Sequence, residues 1–110
     1  MQEKSFAITN EMGIALRSEI LNNIASGFLS RVEFEIQDTG LLVLFRVWEI
    51  FQANSIDESQ KHEVLLRIGR FLQQKLPVRE DEYRWVVSLM KDEQVVDAVC
   101  GGWEKVPMTP

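Results

Sequence analysis

From Thr9 to about Ser30 the apolar residues recur at helical spacing, with Ile14, Leu21, Ile24 and Phe28 on one stripe and Leu16, Ile20 and Leu29 widening it. Thr9 or Asn10 can cap the start, and Glu11 falls in the first turn, where a carboxylate meets the positive end of the helix dipole. At Val32 the period changes to two. Val32, Phe34 and Ile36 alternate with Glu33, Glu35 and Gln37, the pattern of a strand with one dry and one wet face. Asp38-Thr39-Gly40 signals a turn, and the run from Leu41 through Phe51 is rich in β-branched and aromatic residues. If Thr39-Gly40 is a two-residue loop, Ile36 faces Val43, Phe34 faces Phe45, Val32 faces Val47, and Glu33 meets Arg46. A four-residue loop keeps that parity, whereas a three-residue loop turns the second strand over.

A polar link over 52–55 leads to a second helix, with Ser55 or Asp57 as its cap and Glu58 in its first turn. Its apolar stripe is Val64, Leu65, Ile68, Phe71, Leu72 and Leu76; Pro77 supplies the stop. After the charged loop 79–82, Tyr83 to Met90 reads as a strand, Lys91-Asp92-Glu93-Gln94 as a turn, and Val95 to Cys100 as the partner strand. Loops of two or four residues both pair Leu89 with Val96, Val87 with Ala98 and Trp85 with Cys100. The other face then holds Arg84, Val86, Ser88 and Met90 against Val95, Asp97 and Val99. Gly101-Gly102 ends the strand, and 103–110 reads as a C-terminal tail.

The predicted architecture is a single α+β domain over 1–110, in the order helix, hairpin, helix, hairpin. Both helices pack on one face of a roughly four-stranded antiparallel sheet, so that each apolar stripe is buried once. Glu19, Leu21 and Ile24 recur as Glu63, Leu65 and Ile68 at a spacing of 44. Read as a duplication, that echo implies a pseudo-symmetric sheet.

Composition narrows the function. With 45% hydrophobic and 26% charged residues, the chain has enough apolar surface for a core, which excludes whole-chain disorder. The net charge is −5 and the bases are spread from Lys4 to Lys105 without a basic run, which argues against nucleic acid as a partner. The longest apolar run, Leu41 to Phe45, is far too short to span a membrane. The first residues lead into no apolar stretch of the leader type, and Cys100, the single cysteine, has no partner for an intrachain disulfide; a cytoplasmic protein is expected.

Candidate chemistry is thin, and no catalytic residue, metal site or cofactor is predicted. One His and one Cys cannot make a structural zinc site unaided. Asp57-Glu58 and Glu80-Asp81-Glu82 lack the glycine and alternating spacing of a calcium loop. Gly101-Gly102 opens onto Trp103 with no Walker spacing behind it. The aromatic residues say more. Trp48 lies on the opposite parity from Val43, Phe45 and Val47, together with Leu42, Leu44 and Arg46. With Val86, Met90, Val95 and Val99 it gives the sheet a second apolar face, rimmed by Arg46 and Arg84, onto which Trp103 can fold back. Large apolar patches usually mean a partner. The leading expectation is therefore a non-catalytic protein-interaction module that binds a protein partner or itself as a homodimer.

One alternative is a small-ligand binder or enzyme, with a pocket near Cys100 and Trp85 and His62 or Tyr83 as its polar handle. Another is an acidic mimic of nucleic acid displaying Glu33, Glu35, Asp38, Glu80, Asp81 and Glu82. In element order, size and acidity the chain resembles the small acidic secretion chaperones of the type III class and bacterial immunity proteins. That resemblance implies a cytoplasmic protein that holds another protein, and it carries over no residue. The chaperones add a strand before their second long helix that is not read here.

Overall fold

A computed structural model describes residues 7–25, 27–49, 58–79 and 82–103. Along the chain come α1 (Asn10–Glu19), a π-helical turn (Ile20–Ile24), β1 (Leu29–Gln37), a 3-10 turn (Asp38–Gly40), β2 (Leu42–Glu49), α2 (Glu58–Lys75), β3 (Trp85–Lys91) and β4 (Gln94–Gly101). Two short elements thus stand between those that periodicity alone suggests.

Thr9 caps α1, its side chain accepting from the Met12 N–H. The helix does not run on to Ser30. At Ile20 it widens into the π turn, which adds a residue per turn and rotates the apolar stripe. Within α1 itself the buried line runs through Leu16 to Ile20, while Ile14 stands 51% exposed, the reverse of the weight that simple periodicity assigns them. In α2 the stripe holds: Val64, Leu65, Ile68, Leu72 and Leu76 are buried and Phe71 packs against them. The caps expected at Ser55 or Asp57 lie outside the described residues.

The first hairpin closes on Thr39-Gly40. Both, and Asp38 before them, have positive φ (52°, 94° and 56°), and the Leu41 N–H bonds the Asp38 carbonyl. This tight turn has the twist that hairpins favour. Four residues, 38–41, separate the last pair, Gln37 and Leu42, and the register pairs Val32 with Val47, Glu33 with Arg46, Phe34 with Phe45 and Ile36 with Val43, the parity that loops of two and four residues share.

The sheet order is β1-β2-β3-β4, and the central pair, β2 and β3, is parallel. An all-antiparallel sheet is therefore not formed. The reason is the connection: α2 carries the chain back along the sheet, so β3 starts from the same end as β2. Nor are the two helix-hairpin halves symmetric, because β1 is an edge strand and its counterpart β3 an inner one.

The core lies on one side of the sheet. Val32, Val43, Phe45, Val47, Trp85, Val87 and Leu89 meet Leu16, Ile20, Leu65, Ile68 and Leu72 there, all buried. Both helices are thus spent on one face.

Candidate outward sheet face

The residues turned away from the helices form three rows across the strands. The first is Glu35–Leu44–Val86–Cys100, the second Glu33–Arg46–Ser88–Ala98, and the third Arg31–Trp48–Met90–Val95. Among the described residues no helix or strand packs over them. Leu42, Leu44, Trp48, Val86 and Cys100 are partly buried by their neighbours, Ala98 is exposed, and Val95 and Val96 are 58% and 54% exposed. Met90, opposite Trp48, is buried outside the core cluster.

The face is divided. Its β1 side is charged and internally paired: Arg31 bonds Glu33 at 3.2 Å, and Arg46 bonds Glu35 at 3.3 Å. Hydrogen bonds from Gln37 and then Arg46 hold the Glu35 carboxyl below the usual carboxylate range. Trp48 sits at the boundary. Its indole N–H donates to the Asp92 carbonyl at 2.9 Å, and the Arg31 guanidinium lies 3.7 Å from its ring centroid. The β3–β4 side carries no such charges: its outward residues are Val86, Ser88, Met90, Val95, Ala98 and Cys100.

Three expected site residues stand elsewhere. Val99 faces the helices and packs against the core. The second hairpin starts as read, with Lys91 opposite Gln94, but Val96 is an extra residue in β4. That bulge moves every later pairing by one, so Trp85 meets Gly101, and Cys100, opposite Val86, turns outward. Arg84 is no rim residue. It is fully buried, its Nη1 donating to the Leu41 carbonyl at 2.9 Å while its main chain bridges Val43 and Gly101. Trp103 bridges to Arg79 and meets the Tyr83 ring edge-on at 5.3 Å, beyond the end of the rows rather than over Trp48.

The residues of the pocket reading are divided between the two faces. Trp85 is buried inward, and His62 bonds Asp97 at 2.9 Å from α2. Cys100 faces outward beside Tyr83, and its hydrogen bond and charge push the Tyr83 phenol above its ordinary range. The carboxylates of the mimic reading are paired where they are described: Glu33 and Glu35 as above, Asp38 with Arg79 at 3.1 Å, and Glu82 with Arg79 at 3.6 Å. Glu80 and Asp81 lie outside the described residues. Arg79 escaped the sequence reading because a charged loop reads as solvated. Its side chain is only 12% exposed and ties the first turn to the lead into β3.

Both sheet edges are guarded. β1 has an extra residue at Ser30, and the Val32 carbonyl accepts from Arg17 Nε at 2.6 Å. β4 has its extra residue at Val96, and Asp97 Oδ1 accepts from the Ala98 N–H at 2.8 Å. Bulges and charged side chains on edge strands oppose pairing with another strand. Among the described residues no group of three or more His, Cys, Asp or Glu is placed to hold a metal ion. Among those residues no helix is long and apolar enough to cross a membrane.

The fold and this face define an α+β domain with one sheet surface unspent on its own helices. Compared with known proteins, the chain matches no family model, no curated protein and no solved structure.

Proposed function

We propose that this chain is a non-catalytic protein-interaction module, a small acidic cytoplasmic binder that holds its partner on the outward sheet face. The observation that carries the reading is the combination of an apolar outward surface on β2–β4 with two guarded edges. A partner on such a molecule lies across the strands rather than extending the sheet. Leu42, Leu44, Val86, Val95, Ala98 and Cys100 supply the contact, while Met90 and Trp48 form its floor and border.

The test compares proteins retained from cell extract by the wild type, by Leu44→Asp, by Val86→Asp and by Glu63→Lys on the far side of α2. One partner held by the wild type and Glu63→Lys, and lost by both face variants, is the expected result. Equal retention by all four contradicts the reading.

A further inference from the structure

We propose that the outward face also receives a second copy of the chain, sheet against sheet, about a two-fold axis running across the strands along the row Glu33–Arg46–Ser88–Ala98. This rests on the reading of that face as an interaction surface and names one occupant for it.

The first and third rows are complementary to each other about that axis. Turning the face over along the middle row lays the first row on the third row of the other copy. Leu44 then meets Trp48, Val86 meets Met90, and Cys100 meets Val95. On the charged side Glu35 meets Arg31 of the second copy. The middle row lies on the axis, so each of its residues meets its own copy: Ser88 and Ala98 are small, while Glu33 and Arg46 each face a like charge directly and the opposite charge one strand, about 4.8 Å, to the side. The alternative axis, along the strands, would bury the β1 charges against β4 of the second copy, where Cys100, Ala98 and Val95 offer them no opposite charge.

Charge selects this face. The chain carries −5 overall, so two copies repel at long range. The outward strand rows hold two arginines, Arg31 and Arg46, against two glutamates, Glu33 and Glu35, and so add no net repulsion. Extension through the edges is opposed by Arg17 on Val32 and by Asp97 on Ala98. Four strands about 4.8 Å apart and about seven residues long offer a footprint of roughly 19 by 23 Å, about 440 Å² per copy before side-chain relief is counted. A standard interface takes about 800 Å² per partner, so this pairing falls at the low end and is reversible.

Sedimentation equilibrium of the full chain tests it, over a concentration series from about 5 to about 200 µM. The wild type is expected to pass from monomer to dimer. Glu35→Arg sets two arginines together across the interface and weakens association by about tenfold or more; Arg31→Glu does the same. The double variant Arg31→Glu/Glu35→Arg regains most of the loss, because the contact is restored with its charges exchanged. Circular dichroism of each variant guards against a folding defect, since all four outward charges are on exposed or partly exposed side chains. A wild type that stays monomeric throughout overturns the proposal, as does a dimer indifferent to both single variants or a double variant no better than either. If the chain is monomeric but Val86→Asp still loses the captured partner, only the self-pairing falls. If Val86→Asp changes neither assembly nor capture, the interaction reading falls with it.

Discussion

The two hairpins begin alike and end differently. Each turns tightly, the first over residues 38–41 and the second over Asp92-Glu93, with non-glycine residues in left-handed conformations: Asp38 at φ 56°, Thr39 at φ 52° and Asp92 at φ 57°. From there β1 and β2 run in register as far as Arg31, so inward and outward sides follow simple alternation. In the second hairpin Val96 intrudes three residues after the turn and reverses the parity of everything beyond it. The outward surfaces differ as well. The β1 row satisfies its charges internally, and the β3–β4 rows leave apolar groups that charges do not cover. The lesson is that one extra residue decides which side chains are core and which are surface, and no average over composition detects it.

The contrast between inward and outward faces gives the largest expected effect. Phe45→Ala empties a fully buried site between the sheet and its helices and costs about 3–5 kcal/mol in urea unfolding. Leu44→Ala, one residue along on the outward side, costs a small fraction of that; equal losses would mean that the outward face is covered. Next comes Gly101. A Cβ there would run into the buried Trp85 ring and stand 2.9 Å from Gln73 Oε1, so Gly101→Ala destabilises by about 1–3 kcal/mol in the same measurement.

Deleting Val96 sharpens the comparison of the hairpins. The ladder then becomes regular, with Leu89 still opposite Asp97, so circular dichroism and the unfolding midpoint change little, within about 1 kcal/mol. What changes is the edge. Light scattering is expected to show species larger than a dimer, because a straight β4 accepts a strand. A variant that fails to fold would show that the bulge is required rather than protective.

The smallest effect belongs to the charged row. The folded-state pKa of Glu35 is depressed, so its contribution to stability is present above the unfolded carboxylate range and is lost as pH falls through the folded value. Stability curves of the wild type and Glu35→Gln should therefore differ at neutral pH and converge in acid. Divergence growing toward low pH would contradict the sign.

How much was legible follows from the same residues. The first hairpin's register was readable because a turn of Thr39-Gly40 leaves one consistent pairing of apolar with apolar and Glu33 with Arg46. The α2 stripe was readable because no irregularity interrupts it. The π turn at Ile20–Ile24, the bulges at Ser30 and Val96 and the parallel central pair were not. Each depends on tertiary contacts: α1 settling on β1, Asp97 reaching His62, and α2 returning the chain along the sheet. Of the proposed surface, Leu42, Leu44, Arg46, Trp48, Val86, Met90 and Val95 were visible as outward positions. Val99 and Arg84 were misplaced by the bulge and by the bend before β3, and Ala98 and Cys100 were found only once the register was known.

Cys100 offers the most direct measurement, since it lies in the first outward row and is the chain's single thiol. The rate of its alkylation by iodoacetamide should fall as protein concentration rises from about 5 to about 200 µM, as the outward faces cover one another. A rate constant that is the same across that range would contradict an outward face that closes on a second copy.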